Sequence, residues 1–366
     1  MLIKNGLVFE PSGSFVRRDL SVDSHHKIAE TKDPADPDIL DAGGLYVLPG
    51  LVDVHIHGAV GHDFCDGSPE GLGAISAYLK AHGITSFCPT SMTLPTQDLK
   101  EIFASALSVP ADAAHAGIAG IHMEGPYISP AKKGAQKEDY IVSPDIETFR
   151  ELNASCNGLI RLVTLAPELP GSMEFIRALH DKVAISLGHS TADYDTASQA
   201  FAAGADHATH LFNAMPPLLH RDPGIIGAAF DDPRVMVEVI CDGIHITPSV
   251  IRMIFRLFGD DRVILISDAM RATGMADGIY ELGGQQVFKK GNRATLADGT
   301  LAGSATNLFD CMRNAVSFGI PLASAVKAAT ANPAKSVRND SIGSLAAGKE
   351  ADILLVDQKL SLVKVL

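Results

Sequence analysis

From about residue 45 onward, short runs of β-branched and other apolar residues alternate with longer segments of helical apolar spacing. Strands buried on both faces of a parallel sheet consist of such nearly continuous apolar runs. The short runs lie at residues 50–55, 85–89, 118–124, 159–166, 183–189, 207–210, 235–242 and 262–268. Eight strands that alternate with helices are typical of βα units closed into a ring. The pattern therefore predicts an α/β fold, a TIM-type (β/α)8 barrel.

The segments between these runs carry the start and stop signals of helices. Asp145 and Asp193 stand immediately before helical segments, where an aspartate side chain can accept a hydrogen bond from the first turn. Pro248 stands at the first position of another segment, where the missing N–H of proline costs nothing. Gly204 and Gly259 follow helical segments, and glycine adopts the left-handed conformation that ends a helix. These signals support the order strand, helix, strand.

The two ends of the chain have a different pattern, because their alternating or β-rich segments have no helix between them. We expect residues 1–46 and 343–366 to pair into one small β-sandwich domain, with the barrel at residues 47–342. Residues 278–303, inside that range, contain turn signals such as Gly283-Gly284 and are expected to form hairpins. The sequence leaves open which domain these hairpins join.

Composition narrows the class of protein. A chain of 366 residues that is 46% hydrophobic can bury a large core. The first residues are too polar for a secretory signal, and no apolar run approaches the roughly 20 residues of a membrane-spanning helix. The five cysteines have no disulfide or zinc-finger spacing, so we expect a soluble cytoplasmic protein. A net charge of -13 argues against nucleic acid and anionic membranes as partners.

Side chains that bind metals end several of the predicted strands. The carboxyl ends of barrel strands form the catalytic face. Residues i and i+2 of a strand point to the same side, so His55 and His57 can both face the mouth of the barrel. Alone, this pair fits a polar rim as well as a metal site. Three histidines and two carboxylates at equivalent positions of other strands favour a metal site, namely Glu124, His189, His210, His245 and Asp268.

Imidazole and carboxylate ligands without thiolates suit Zn²⁺, and also Fe²⁺, Mn²⁺ or Co²⁺. A metal with an open position lowers the pKa of water toward neutrality, and such a water can hydrolyse an amide. A carboxylate must then move the proton, and Asp268, at the end of the last strand among small residues, is the candidate. The alternative is that Asp268 caps the segment that follows it. Glu124, next to Gly125-Pro126, fits better as a metal ligand.

Seven segments of the chain resemble N-acetylglucosamine-6-phosphate deacetylases of the amidohydrolase superfamily in order and approximate spacing. They are PGLVDVHIHG, HMEGPYISPAKKGAQ, LGHSTA, THLFNAMPPLLHRDPGIIG, CDGIHI, ISDAMRATG and LAGSATN. The resemblance spans essentially the whole chain. Its longer motifs, HLFNAM followed by HRDPG and also DAMRATG, separate this family from dihydroorotases and hydantoinases.

The resemblance implies a main metal held by Glu124, His189 and His210, with an acid/base role for Asp268. The substrate-binding positions that it implies are Gln136, Asn213, the backbone of Ala214, Arg221 and His245. It assigns the phosphate mainly to Asn213, Ala214 and Arg221. In this family the arginine can reach the site of the neighbouring subunit, which implies a homodimer.

The number of metals and the sugar are left open by the resemblance. Some members lack the His-x-His pair and use one metal, whereas others keep it and can bind two with Glu124 as the bridge. This chain keeps His55 and His57, so one or two divalent metals per subunit are implied, with Zn²⁺ favoured. Gln136 stands where some members have a histidine, and residues 304–307 also depart from the family pattern.

The expected activity is the hydrolysis of N-acetyl-D-glucosamine 6-phosphate to D-glucosamine 6-phosphate and acetate. One alternative is a deacetylase of N-acetyl-D-galactosamine 6-phosphate or of another N-acyl amino sugar. A cyclic-amide hydrolase is a more distant enzyme alternative and would not need Arg221. A sugar-phosphate sensor, which keeps the pocket without the reaction, is the non-enzymatic alternative.

Overall fold

The computed structural model describes residues 1–30, 38–110 and 112–366. Within these ranges, eight parallel strands form a nearly closed barrel, and each predicted run overlaps one of them. From the first to the eighth, the barrel strands are Leu51–Ile56, Ile84–Ser91, Ile121–Glu124, Ile160–Leu165, Ala184–Leu187, His207–Ala208, Met236–Ile240 and Val263–Ile266. The predicted TIM-type barrel is confirmed.

The barrel closes between its first and eighth strands, directly beside two predicted site residues. A parallel bridge joins Ile56 to Ala269. The backbone N–H of Asp268 donates to the carbonyl oxygen of His55 at 2.9 Å. The closure of the ring therefore fixes the relative positions of His55 and Asp268 through the backbone, independently of their side chains.

Helices surround the barrel, and their ends follow the signals in the sequence. Asp145 accepts a hydrogen bond from the Thr148 N–H at 2.7 Å, and Asp193 accepts one from the Thr196 N–H at 2.8 Å. In the described part of the chain, none of the helices is long and apolar enough to cross a membrane. The helices α1 to α10 are Pro69–Ala81, Thr96–Ser105, Ile146–Ser155, Ser172–Leu179, Tyr194–Ala203, Gly224–Asp231, Pro248–Phe258, Leu308–Ser317, Leu322–Ala329 and Ala331–Ser336.

Strands from both termini form one separate mixed sheet, which confirms the predicted pairing of the two ends of the chain. Its strands are Leu2–Phe9, Phe15–Val22, Ile28–Ala29, Ile39–Asp41, Tyr46–Pro49, Ile353–Val356 and Leu362–Val365. The C-terminal strand Ile353–Val356 pairs antiparallel with Tyr46–Pro49, which joins the two ends of the chain. Residues 31–37 of the predicted N-terminal part lie outside the described residues, and the domain bounds 1–46, 47–342 and 343–366 stay a prediction.

Residues 278–303 form an antiparallel sheet that packs at the mouth of the barrel. Its strands are Gly278–Leu282, Gln285–Lys290 and Arg293–Thr295. Its buried side chains, among them Leu282 and Val287, form one cluster with Met92 and Met270. This segment therefore contributes to the surroundings of the predicted site. Further short strands are Gly58–Ala59, His62–Asp63 and Gly117–Ile118.

The terminal sheet and the barrel share a hydrophobic core. Substitution of Leu354 measures how much this contact stabilises the fold. Leu354 is fully buried and lies against Gly83, which follows α1. We expect Leu354→Ala to lower the free energy of unfolding by about 2–5 kcal/mol, because it leaves a cavity in a packed core. Val363→Ala, on the neighbouring strand and 55% exposed, is the control and should change it by less than about 0.5 kcal/mol. Equal urea midpoints for the two variants would contradict this contact.

Candidate active site

Three predicted metal ligands meet at the carboxyl ends of the third, fifth and sixth barrel strands. Glu124 is the last residue of its strand, and His189 and His210 each follow their strands by two residues. The Nε2 atoms of both histidines lie 3.1 Å from Glu124 Oε1 and 3.1 Å from each other. All three side chains are buried and could hold one cation together.

The backbone at these positions is strained. His189 has φ +48°, His210 has φ +27° and Asp268 has φ +48°, in the left-handed region that residues with a Cβ rarely adopt. Such strain costs about 1–3 kcal/mol per residue and persists where the surrounding structure enforces it, often at functional sites. Here it turns three side chains at strand ends toward one point.

A second group lies on the other side of Glu124. His57 Nε2 lies 3.4 Å from Glu124 Oε2 and 3.3 Å from Asp268 Oδ1. His55 Nε2 lies 3.5 Å from Glu124 Oε1 and 3.6 Å from Asp268 Oδ1. This nitrogen is buried and has no hydrogen-bond partner among the described residues. A buried imidazole nitrogen without a partner fits a ligand for a cation.

The charges of the site keep both carboxylates ionised. Burial alone would raise the pKa of Glu124, but the imidazoles of His55 and His189 outweigh burial and hold this pKa well below its ordinary value. Burial would also raise the pKa of Asp268, yet His55 and His57 lower it to about 2. At neutral pH both groups are therefore in the form that binds a cation or accepts a proton.

Backbone carbonyl groups orient two of the imidazoles. His57 Nδ1 lies 3.1 Å from the carbonyl oxygen of Thr90, and His189 Nδ1 lies 2.8 Å from that of Lys132. Since a carbonyl oxygen only accepts, each Nδ1 is the donor, and Nε2 is the nitrogen that would give its lone pair to a bound metal. Lys132 was not predicted as a site residue, and its contribution here comes from its backbone.

Glu238, on the seventh strand, is a further site residue that the sequence analysis missed. Its Oε2 lies 2.9 Å from His55 Nδ1 and accepts a hydrogen bond from the backbone N–H of His210 at 3.0 Å. A signal for it was present, because this glutamate interrupts the apolar run MVEVI. A carboxylate inside a strand that is buried on both faces is costly unless it is paired.

A cavity of about 360 Å³ opens over the two ligand groups. Part of its wall comes from the segment 278–303, through Leu282, Thr300 and Leu301, none of which was predicted as a site residue. The predicted residues that line it are His57, Glu124, Gln136, His189, His210, Asn213, Ala214, His245 and Asp268. The structure thus brings nearly all of the predicted positions to one cavity.

The predicted substrate positions on the cavity wall are held by hydrogen bonds. The side-chain amide of Gln136 donates to Glu124 Oε2 at 3.1 Å, and its oxygen accepts from the Thr93 N–H at 2.6 Å. The Asn213 amide donates to the carbonyl oxygen of His210 at 3.2 Å. His245 Nδ1 lies 2.7 Å from Asp242 Oδ2. Their positions are therefore fixed by contacts within the chain.

Arg221 is the predicted position that lies apart from this cavity. It stands on an exposed loop, where its Nη1 lies 2.6 Å from Nε2 of the neighbouring His220. It is not among the residues that line the cavity of its own chain. Arg221 could therefore contact a substrate only in the cavity of another copy of the chain, or in its own cavity after the loop has moved.

A model of the amidohydrolase family matches residues 46–365. This chain belongs to the amidohydrolase family. The amidohydrolase is 38% identical to N-acetylglucosamine-6-phosphate deacetylase of Bacillus subtilis (strain 168), over 91% of this chain and 86% of that relative. It is also 34% identical to N-acetylgalactosamine-6-phosphate deacetylase of Escherichia coli O157:H7, over 90% of this chain and 88% of the relative.

A solved structure extends the likeness to three dimensions. It is that of a mutant of N-acetyl-D-glucosamine-6-phosphate deacetylase from Mycobacterium smegmatis in complex with N-acetyl-D-glucosamine-6-phosphate. The amidohydrolase superposes on it with a TM-score of 0.92 at 34% identity, covering 100% of this chain and 97% of the other. The barrel and the terminal sheet thus have the same arrangement in both proteins.

The pair of His245 and Asp242 gives a testable prediction. Burial would lower the pKa of His245, but the Asp242 carboxylate raises it above its ordinary value of 6.5. We expect Asp242→Asn to lower this pKa, measured by NMR titration of the His245 Cε1–H. The control Asp112→Asn, at an exposed ion pair with His115, should leave it unchanged. An unaltered titration of His245 in Asp242→Asn would contradict the assigned cause.

The same pair predicts the sign of a pH effect on stability. Because the folded pKa of His245 is raised, its contribution is fully present below pH 6.5 and is lost as pH rises through the raised value. Burial would raise the pKa of Asp242, but the contact with His245 outweighs burial and lowers this pKa. The stabilisation that Asp242 contributes is therefore lost as pH falls below 3.8. The pair of His245 and Asp242 therefore stabilises the fold most between pH 3.8 and pH 6.5.

Proposed function

We propose that this amidohydrolase hydrolyses N-acetyl-D-glucosamine 6-phosphate to D-glucosamine 6-phosphate and acetate, in amino-sugar catabolism. The observation that carries the proposal is the convergence of Glu124, His189, His210 and Asp268 at one end of a cavity. The names of the relatives support the sugar phosphate as substrate. Hydrolysis of an acetamide requires an activated water, stabilisation of an oxyanion and a proton donor for the amine.

Glu124, His189 and His210 would hold the main divalent cation in this proposal. His55 and His57, together with Glu124, would hold another where two are bound. The donor set of imidazoles and carboxylates without thiolates fits Zn²⁺ best, with Fe²⁺, Mn²⁺ or Co²⁺ as substitutes. When bound, the metal supplies Lewis-acid activation of water and of the amide carbonyl.

Asp268 is assigned the proton transfers. Its carboxylate is ionised, lines the cavity and lies 3.3 Å from His57 Nε2. In the proposed reaction it accepts a proton from the attacking water and then gives a proton to the nitrogen of the leaving amine. This second step matters because an amine is a poor leaving group until it is protonated.

Recognition of the sugar phosphate is divided between the cavity wall and the exposed loop. We assign the sugar to Gln136 and His245, and the phosphate to Asn213, the backbone of Ala214 and Arg221. Because Arg221 is exposed and lies outside its own cavity, we assign it to the site of the partner subunit in a homodimer. An arginine suits this role, since its planar guanidinium binds phosphate with two hydrogen bonds.

The galactosamine epimer is the second candidate substrate. It is favoured by the relative from Escherichia coli O157:H7 that is named for it. Gln136 is the predicted substrate position at which the chain departs from some members of the family. The proposed location is the cytoplasm for either substrate. The five cysteines are all free and four of them are buried, as is usual where thiols stay reduced.

Acetate release tests the activity. We expect the purified, metal-loaded chain to release acetate from N-acetylglucosamine 6-phosphate faster than from its galactosamine epimer or from unphosphorylated sugars. Asp268→Asn should lower kcat by a factor of about 10²–10⁴, because it removes the group that moves the proton. Asp181→Asn, at an 89% exposed carboxylate, is the matched control and should leave kcat unchanged. Metal content and substrate affinity are measured for each variant.

Several results would contradict the proposed activity. Turnover of dihydroorotate or hydantoins, with none on acetamido sugars, would indicate cyclic-amide hydrolysis. Binding of the sugar phosphate without metal and without turnover, unchanged in Asp268→Asn, would indicate a sensor. A higher kcat/KM for the galactosamine epimer would instead assign the second candidate substrate.

Mixed dimers test the assignment of Arg221. We expect Arg221→Ala to raise KM for the phosphorylated substrate, because one charge-assisted contact to phosphate is lost. A chain with Arg221→Ala mixed with a chain carrying Asp268→Asn should regain activity, since one site per mixed dimer then has both groups. Arg150→Ala, at an exposed arginine of α3, is the control for KM. No regain of activity in mixtures that exchange subunits would contradict action on the partner's site.

A further inference from the structure

Glu238 is a fully buried carboxylate in the interior of the barrel, below the two ligand groups. Its carboxylate contacts two of the predicted ligands, His55 and His210. An ionised carboxylate at this depth is stable only where hydrogen bonds and opposite charge compensate the loss of water.

One oxygen of Glu238 makes both of its hydrogen bonds. Oε2 accepts from His55 Nδ1 at 2.9 Å and from the backbone N–H of His210 at 3.0 Å. Because this carboxylate oxygen is the acceptor in both contacts, His55 carries a proton on Nδ1. Its Nε2 then presents a lone pair between Glu124 Oε1 and Asp268 Oδ1, at 3.5 Å and 3.6 Å.

These two hydrogen bonds reach two different ligand groups. His210 lies with Glu124 and His189, whereas His55 lies with His57 and Asp268. The His210 backbone also has φ +27°, a conformation that needs an external anchor. A single carboxylate oxygen thus fixes the tautomer of one ligand and the strained backbone of the other.

The other oxygen of Glu238 points away from the ligands. In the described ranges of the chain, Oε1 has no hydrogen-bond partner, and it lies 3.8 Å from His207 Nδ1. The polar side chains behind it bond to one another instead, since Ser186 contacts His207 and Thr164 contacts His122. The hydrogen bonds of Glu238 are therefore directed to the ligand positions and not to the network inside the barrel.

We propose that Glu238 is a positioning residue that links the two ligand groups, so that both bind a cation tightly only while its carboxylate holds His55 and His210. The inference rests on the proposed metal site. It adds a residue that touches neither the cavity nor the substrate. A carboxylate that orients a ligating histidine through its other ring nitrogen strengthens metal binding by about 10–100-fold.

Two substitutions separate the charge of Glu238 from its hydrogen bonds. Glu238→Gln keeps a carbonyl oxygen that can accept from both His55 and His210 but removes the charge. Glu238→Met keeps the volume and removes both acceptors. We expect the apparent dissociation constant for Zn²⁺ to rise by about tenfold in Glu238→Gln and by up to about 100-fold in Glu238→Met.

The measurement needs no substrate. The full chain, loaded with Zn²⁺, is equilibrated at graded free Zn²⁺ set by a chelator, and the bound metal is counted per chain. Asp352→Asn is the control, because Asp352 is a partly buried carboxylate bonded to Lys80 at the other end of the barrel. We expect Asp352→Asn to bind Zn²⁺ with the affinity of the unaltered chain, even if the substitution changes the temperature of unfolding.

The absorption spectrum of the Co²⁺-loaded chain provides a second readout. We expect it to change in Glu238→Met and to stay close to that of the unaltered chain in Glu238→Gln. Unchanged Zn²⁺ affinity in Glu238→Gln and in any folded Glu238→Met would overturn the inference. An unaltered chain that binds neither Zn²⁺ nor Co²⁺ would instead overturn the metal site of the proposed function, so the two failures are distinguishable.

Discussion

The site depends on the contact of one buried carboxylate with four imidazoles. Each of the four rings has its Nε2 within 3.5 Å of an oxygen of Glu124. His189, His210 and His55 lie at Oε1, and His57 lies at Oε2. In a medium of low polarity an unpaired carboxylate would take up a proton or destabilise the fold. The histidines prevent this, and the same arrangement leaves a negative centre on which cations can be bound.

The barrel makes this contact available because it brings distant parts of the chain to one edge. His55 and Glu238 are 183 residues apart in sequence, and His210 and Glu124 are 86 apart. Parallel strands that end at the same face need only a polar residue at or just beyond each end to form a cluster. The last adjustment is made by the backbone, through the left-handed conformations of His189, His210 and Asp268.

Sequence reasoning succeeded where a local pattern carries the information. The apolar runs give the eight strands, Asp145 and Asp193 give helix starts, and the spacing of His55 and His57 places both on one side of a strand. It failed where the information lies in long-range contacts. The glutamate in the apolar run MVEVI marks Glu238 as unusual, but nothing in the sequence indicates its bond to His55. The packing of residues 278–303 against the barrel mouth likewise leaves no periodic pattern.

The charge distribution constrains how a sugar phosphate could lie in the cavity. In the proposed reaction the acetamide has to lie at the ligand groups beside Asp268, where the proton is transferred. Because the chain as a whole carries a net charge of -13, a phosphate at the other end of the sugar needs a local cation. The proposed function assigns that end of the substrate to Asn213 and Ala214, where a cation from outside the cavity can compensate its charge. An exposed arginine such as Arg221 meets that need without placing a positive charge beside the proposed metal ligands.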